Sequence, residues 1–502
     1  MLGKVYSAVV NGINADIVDV EADVSTGIPS FEITGNISAT TKEAVKRVRM
    51  AIKNSGIKMN PARITVNISP ANIPKDGTHF DLSVAMAILN AVNYVSTDKI
   101  KDTSFAGELS LDGKVNGVNA ILPMAMEAAR NGISRIILPF ENMAEAGNVP
   151  GIQVIGVTTL SQCLNIICHD SDIPKTPDNN HNGEGLALEF LDVKGQQGLK
   201  RAAMIAAASM HNMLILGPSG TGKTMTAMRI PDILPELTYK ESLEISKIYS
   251  ISGLLNNNHS LITRRPFRNP NYLITRTAFG GGGGRPLPGE ISLAQSGVLF
   301  MDEFNLFSKD VIETLREPLE TGKVVITRNR GTCEYDASFM LVAAMNPCRC
   351  GYYPDRSRCR CTQMDIKRHL GKVSKPIMDR IDIFINAGRV EYDDITGHGK
   401  DIYSTAYMSA KVTEAINIQK ERYSKENFYL NSHIPSSKVE YYCGTSKEAA
   451  RVLRTAYDKY CLSARSYTRI LKVARTIADV EEHEEIELSD LSEAIGYRWM
   501  EG

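Results

Sequence analysis

The sequence predicts an α/β protein of several domains, and three observations carry that expectation. Near the N-terminus, strand-like stretches alternate with helical ones. In the middle, an apolar run leads through a glycine-rich loop into a helix start. Beyond residue 395 the pattern turns largely helical. The first region offers Lys4–Val10, Ala15–Val20 and Arg63–Ile68 as strands, and Thr41–Ser55, Asp81–Val95 and Ile121–Asn131 as helices. Alternation of the two periods is the mark of mixed α/β layering.

Four segments follow. Residues 1–168 form an N-terminal α/β domain. Residues 169–188, rich in Asp, Asn and Pro, read as a linker. Residues 189–395 form a central core. Residues 396–502 form a helical C-terminal domain that ends in an acidic stretch, Glu481–Glu493, read as a solvated helix face and turn. At 502 residues, roughly two to four domains are expected.

Composition excludes several classes. The chain is 43% hydrophobic, enough for real cores, yet no apolar run nears membrane-spanning length. The start, Met1-Leu2-Gly3-Lys4-Val5, lacks the features of a signal peptide, so a cytoplasmic protein without membrane partners is expected. Net charge is zero, so any polyanion binding must use local patches. The cysteines number nine, and four fall within residues 348–361, which in a reducing compartment points to a metal site rather than disulfides.

The central motif is Gly217-Pro218-Ser219-Gly220-Thr221-Gly222-Lys223-Thr224, a complete Walker A loop behind the apolar run Met213–Leu216. Glycines let backbone N–H groups approach phosphate oxygens, and a helix N-terminus adds a positive dipole end. Lys223 can neutralise β/γ oxygens, and Thr224 can ligate Mg²⁺. ATP with Mg²⁺ is therefore the expected cofactor pair. The run Val298–Met301 ends in Asp302-Glu303, a Walker B: Asp302 would hold Mg²⁺ and Glu303 would polarise the attacking water. A third apolar run, Phe339–Met345, ends in Asn346, placed to orient that water as sensor 1. Leu191–Gln196, ahead of the core helix, would frame the adenine.

Two arginines extend the set. Nothing in its own subunit calls for burying Arg380 in Met378-Asp379-Arg380-Ile381-Asp382, so in a ring it could reach a neighbour's γ-phosphate as an arginine finger. The competing reading is a local salt-bridge cluster of Asp379, Arg380 and Asp382. Arg465, opening a helix in the C-terminal domain, would act as sensor 2, with Arg469 the runner-up.

Basic and thiol-rich stretches suggest partners. An insertion, residues 252–290, carries Arg264, Arg265, Arg268, Arg276 and Arg285 against one acid, Glu290, with Gly280–Gly284 as a flexible tip. A hairpin around Arg328-Asn329-Arg330 precedes Asn346. In a ring both could face the pore and grip phosphates without reading sequence. Cys348, Cys350, Cys359 and Cys361 give a C-x-C…C-x-C spacing that can close a structural Zn²⁺ site. Between Arg349 and Arg380 nine Lys/Arg face three acids, so this knuckle is basic. The other cysteines read as small apolar residues.

The order of these motifs is that of AAA+ ATPases. Arg265-Pro266-Phe267-Arg268, Pro288–Ala294 and Gly297–Phe300 resemble the magnesium-chelatase-like clade, and the chain as a whole resembles the ComM/YifB family. One departure is Asn271-Tyr272, where relatives usually carry a His-His pair. The resemblance implies a ring-forming, hexameric, ATP-hydrolysing DNA motor, a helicase that migrates branches during recombination in natural transformation. Its load would be branched or single-stranded DNA. The alternative is a chelatase- or chaperone-like ATPase that remodels a protein partner. Pro74–His79, Gly107–Val115 and Ile136–Asn142 are similar to the Lon proteolytic domain, implying a ribosomal S5 domain 2-like fold at residues 1–168, ahead of the AAA+ P-loop core and the helical lid. His79 and Leu122 stand where that domain has its Ser and Lys, so no peptidase activity is expected.

Overall fold

The structure is a computed structural model that describes residues 2–169, 171, 188–255, 261–283, 286–328, 331–353, 355–388, 390, 401–460 and 462–498. The chain divides into two units. One comprises Met1–Asn182, Tyr239–Ile262 and Thr327–Glu334; the other comprises Gly183–Thr238, Thr263–Ile326 and Tyr335–Gly502.

The first unit is built on a seven-stranded mixed sheet. Its strands are β1 (Leu2–Asn11), β2 (Asn14–Ser25), β3 (Ser30–Thr34), β4 (Arg63–Ser69), β5 (Thr103–Phe105), β8 (Arg135–Pro139) and β9 (Gln153–Val157), in the order β3-β4-β2-β1-β5-β8-β9. A small hairpin, β6 (Glu108–Leu109) with β7 (Val115–Asn116), stands apart from the sheet. Strands β1, β2 and β4 pair antiparallel, whereas β5, β8 and β9 run parallel. Alternation along the strands sends Val5, Val9, Val18 and Val20 to one core and Ala8 and Ala15 to the other. Helix Asp81–Ala91 is buried at every residue. It lies so close to β1 that a Cβ on Gly3 would meet the Ala87 carbonyl oxygen at 2.2 Å. The expected helix to Val95 stops short because Asn93 turns left-handed, φ 57°. The expected helix Thr41–Ser55 divides at Glu43 into Ala39–Lys42 and Ala44–Asn54.

Helix Tyr239–Ile251 belongs to this first unit although it lies in sequence between the glycine loop and Walker B. Leu243 and Leu261 pack on the core that holds Ile121, Leu122 and Met124. The fully buried Glu145 ties it in, accepting the Leu122 N–H at 2.9 Å, the Asn142 Nδ2 at 2.9 Å and the Ser250 hydroxyl. Burial raises the Glu145 carboxyl above its usual range despite these donors. His79 and Leu122 are both buried; His79 Nε2 lies 3.0 Å from the Ala8 carbonyl.

The second unit holds a parallel five-stranded sheet. Its strands are β10 (Met213–Leu216), β11 (Phe267–Arg268), β12 (Val298–Met301), β15 (Met340–Met345) and β16 (Ile383–Asn386), in the order β11-β12-β15-β10-β16. The strands β13 (Lys323–Arg328) and β14 (Gly331–Asp336) form a separate two-stranded ribbon, whose stretch Thr327–Glu334 belongs to the first unit. Continuous apolar runs in β10, β12 and β15 are buried on both faces, as parallel strands require. Helix Gln197–Ala208 and the C-terminal helices Thr405–Arg422 and Ala464–Val480 contribute to the same core, so Ile215, Phe300 and Val342 share one apolar cluster with Met408, Val412 and Leu471. Among the described residues no helix is long and apolar enough to cross a membrane.

Candidate active site

Register places the candidate site. In the parallel sheet Leu216 pairs with Met345, and Met301 with Ala343, so Gly217, Asp302 and Asn346 leave the sheet at one edge, the carboxyl ends where open α/β sheets bind ligands. Gly220 and Gly222 both turn left-handed, φ 80° and 83°, as the tight loop demands. Helix Lys223–Ile233 starts there with no side chain capping its first turn, leaving its N–H groups open to an anion.

The side chains converge on a cleft of about 270 Å³ lined by Ser219, Gly220, Gly222, Lys223, Thr224, Asp302, Glu303 and Asn346. Lys223 Nζ donates to the Gly217 and Pro218 carbonyls, both at 2.7 Å, and to Asn346 Oδ1 at 3.3 Å. Burial lowers its pKa, while Asp302 and Glu303 oppose that shift. Thr224 Oγ1 donates to Asp302 Oδ2 at 3.0 Å. That hydroxyl and carboxylate are oxygen donors of the kind that would hold a Mg²⁺ ion, so the donor set fits the metal. Glu303 sits at φ 50°, a left-handed turn uncommon for a side-chain-bearing residue, with its N–H donating to Asp302 Oδ1 at 2.9 Å. The segment ahead of the core helix also lies here: Val193 Cγ1 is 3.4 Å from where a Cβ on Gly222 would stand.

Sequence reasoning missed a further layer. His369 Nε2–H can donate to the Asn346 carbonyl oxygen at 3.1 Å while its Nδ1 accepts from Asn305 Nδ2 at 3.4 Å, so one neutral ring ties the end of β15 to the turn after Asp302-Glu303. Burial lowers the His369 pKa, favouring the neutral ring. Asn305 is two residues from Glu303 and could have been flagged; His369, twenty-three residues past Asn346, gave no signal.

The two arginines lie elsewhere. Contrary to expectation, Arg380 is buried in its own chain. It pairs with Glu320, donates Nη1 to the Pro376 carbonyl at 2.7 Å, and keeps Nε without a partner. The Asp379–Arg380–Asp382 cluster does not form either. Asp379 lies 3.8 Å from Arg498, and Asp382 takes Arg469 and His211. Burial alone would raise Asp382, but Arg469 and His211 hold it well below the usual carboxylate range. Arg469, the alternative sensor, is thus engaged. Arg465 is exposed and stands near Glu320, whose carboxyl is lowered first by Arg380 and further by Arg465 and Arg316. Neither Arg380 nor Arg465 lines the cleft.

Three of the insertion arginines do not offer free cations. Arg264 pairs with Asp232 at 2.6 Å. Arg265 donates to the Pro235 and Ser296 carbonyls at 2.6 and 2.7 Å. Arg268 forms a two-bond fork with Glu290 at 2.6 and 2.7 Å. These pairs hold the segment before β11 and its neighbours, a structural use that the local excess of arginine concealed. Arg276 is exposed at the start of helix Arg276–Gly280. The Arg328 side chain, Arg285 and Arg330 lie outside the described residues.

The four cysteines meet. Cys348 Sγ lies 3.3 Å from Cys350 and 3.7 Å from Cys359, Cys350 lies 3.6 Å from Cys359, and all four sulfurs fall within 4.8 Å of one another. Four thiolates at about 2.3 Å from a tetrahedral Zn²⁺ stand about 3.8 Å apart, so the set is compatible with a structural zinc. The Tyr352 N–H and the Cys348 thiol draw Cys350 down to about 6, whereas burial pushes Cys359 up to about 12, so without a cation the four thiols do not ionise together.

A parallel sheet with the glycine loop between β10 and the helix that follows it, Asp-Glu just after β12 and Asn just after β15 defines an AAA+ protein of the magnesium-chelatase-like class. In agreement, residues 189–395 match the family described as magnesium chelatase, subunit ChlI; residues 20–142 match subunit ChlI of Mg-chelatase; and residues 403–498 match its C-terminal part. The chain is 38% identical to the competence protein ComM of Haemophilus influenzae over 99% of its own length and 98% of that relative. It is 36% identical to the uncharacterized protein YifB of Escherichia coli K12 over 99% and 97%. It is 27% identical to Lon protease 2 of Bacillus subtilis over 33% of each chain. The chain belongs to the ComM/YifB family.

Proposed function

We propose that this chain is an ATP-hydrolysing subunit of a ring-forming DNA motor that migrates branched DNA during recombination. One observation carries the reading. The cleft gathers Lys223, Thr224, Asp302, Glu303 and Asn346, yet among the described residues its lining contains no arginine, while Arg380 pairs with Glu320 and Arg465 lies within electrostatic reach of the same carboxylate. Transition-state charge on a transferring phosphoryl group calls for such a cation, and a second copy would supply it. On this reading Lys223 exchanges its two loop carbonyls for phosphate oxygens, and Thr224 and Asp302 would hold Mg²⁺, which would supply charge neutralisation for the phosphates. Glu303 takes the proton of the attacking water, and Asn346 orients it. The knuckle cysteines would hold Zn²⁺ as a structural ion. The name of the Haemophilus relative places it in competence, which supports uptake-linked recombination as the setting and the cytoplasm as the location.

The test is ATP-dependent strand displacement on a synthetic four-way junction, with Lys223→Ala as control. Hydrolysis of ATP by the wild type without strand movement would overturn the DNA assignment. The engagement of Arg264, Arg265 and Arg268 within the chain favours a second reading, an ATPase that remodels a protein partner, and that result would select it.

A further inference from the structure

We propose that the cysteine knuckle and the helix that follows it, residues 348–370, grip the phosphate backbone of a nucleic-acid strand. The inference rests on the DNA-motor reading for its choice of polyanion. The segment carries Arg349, Arg356, Arg358, Arg360, Lys367 and Arg368 against two acids, Asp355 and Asp365. All six cations are exposed. Both acids are engaged locally: Asp355 accepts the Ser357 N–H at 2.9 Å and its hydroxyl at 2.5 Å, and Asp365 closes the capping box of helix Gln363–Leu370 with Thr362. Among the described residues none of the six cations forms an ion pair, whereas the insertion arginines Arg264 and Arg268 do. Six cations against two acids leave an excess of four positive charges on a short stretch, and a bound polyanion relieves their mutual repulsion.

Two of the cations are also held in place. Arg358 lies over the Tyr352 ring at 4.6 Å and Arg356 over Tyr353 at 5.0 Å, while Arg356 Nη1 donates to the Cys361 carbonyl at 2.9 Å. A guanidinium stacked on an aromatic face keeps its edge N–H groups directed outward for phosphate oxygens, and less side-chain entropy is lost on binding. A metal held by the four cysteines would fix the loop that carries Arg349, Arg356, Arg358 and Arg360. Nothing in this surface selects a base, so the grip is independent of sequence.

The test is fluorescence anisotropy with the full-length chain and labelled single-stranded DNA, duplex DNA and RNA of one sequence, over a salt series. Each single-strand phosphate contact contributes about 0.7 to the slope of log K against log salt, or roughly fourfold at 0.15 M. Arg349→Gln/Arg358→Gln/Arg360→Gln should weaken single-strand binding by up to about 50-fold and flatten the slope by about 2. The matching Arg→Lys triple keeps the charges and should keep the wild-type salt slope, losing only the severalfold that stacking of Arg358 on Tyr352 contributes. Lys367→Gln/Arg368→Gln, outside the sulfur loop, should lose about tenfold and covers the case in which the triple fails to fold. Wild-type affinity and slope in the Gln variants would overturn the inference, as would equal loss in the Lys triple. Wild type that binds none of the three strands would remove the motor reading itself, and binding to RNA alone would remove DNA as its load.

Discussion

Arg380 gives the sharpest prediction because two magnitudes far apart can be compared on one residue. Its guanidinium is buried against Glu320, but the Glu320 side chain is 58% exposed. An ion pair with so solvated a partner stabilises by about 0.2–1 kcal/mol, so releasing Arg380 from Glu320 shifts its availability by no more than about fivefold. An arginine finger is worth about 10³–10⁵ in turnover. Arg380→Ala should therefore lower ATP hydrolysis by at least about 10³ with nucleotide binding retained, whereas Glu320→Gln should leave turnover unchanged or raise it by up to about fivefold. The assay is steady-state phosphate release across protein concentration, beside nucleotide binding by a fluorescent analogue. A mixture of Arg380→Ala and Glu303→Gln chains should recover part of the rate, since one supplies an intact Glu303 and the other an intact Arg380. Arg380→Ala within tenfold of wild type, or a mixture as inactive as its components, would refute the reasoning.

Other outcomes follow from the same geometry. His369→Ala should reduce kcat severalfold with little change in KM, because it frees Asn346 and Asn305 without touching the phosphate loop, and His369→Gln should restore part of the loss; a pure KM effect would count against this. Glu145→Ala should lower the unfolding midpoint by the equivalent of about 2–4 kcal/mol, since the Leu122 N–H and the Ser250 hydroxyl would be buried unpaired. As the Glu145 pKa is raised on folding, its contribution is fully present below its unfolded pKa and is lost as pH rises through the folded value. The midpoint of the Glu145→Ala variant should accordingly depend less on pH in that window. Chelation should release one zinc per chain and lower the melting temperature, read by elemental analysis and a thermal scan; a metal ratio near zero in protein purified without chelator would reject the site.

The nucleotide cleft was legible because its chemistry is local. Eight contiguous residues specify the phosphate loop, and runs such as Val298–Met301 and Met340–Met345 announce buried parallel strands whose ends must share an edge. The cysteine spacing was legible for the same reason. Pairings across long separations were not. Glu320 lies sixty residues before Arg380, Asp232 thirty-two before Arg264, and no periodicity links such partners. A surplus of arginine therefore resembled an open basic patch where the fold uses three of them as internal ties. Helix Tyr239–Ile251 shows the same limit: Ile245, Ile248 and Ile251 mark an apolar face, but nothing local says which core will cover it.

That helix has a practical consequence. The first unit draws on three separate stretches of chain, two of them beyond the 169–188 segment. Cleavage within that segment would not liberate a self-sufficient N-terminal fragment. A truncated protein beginning at residue 189 would carry Leu243 and Leu261 stripped of the core on which they pack. Such fragments should be prone to aggregation, and the two units are better regarded as a single inheritable block than as exchangeable modules.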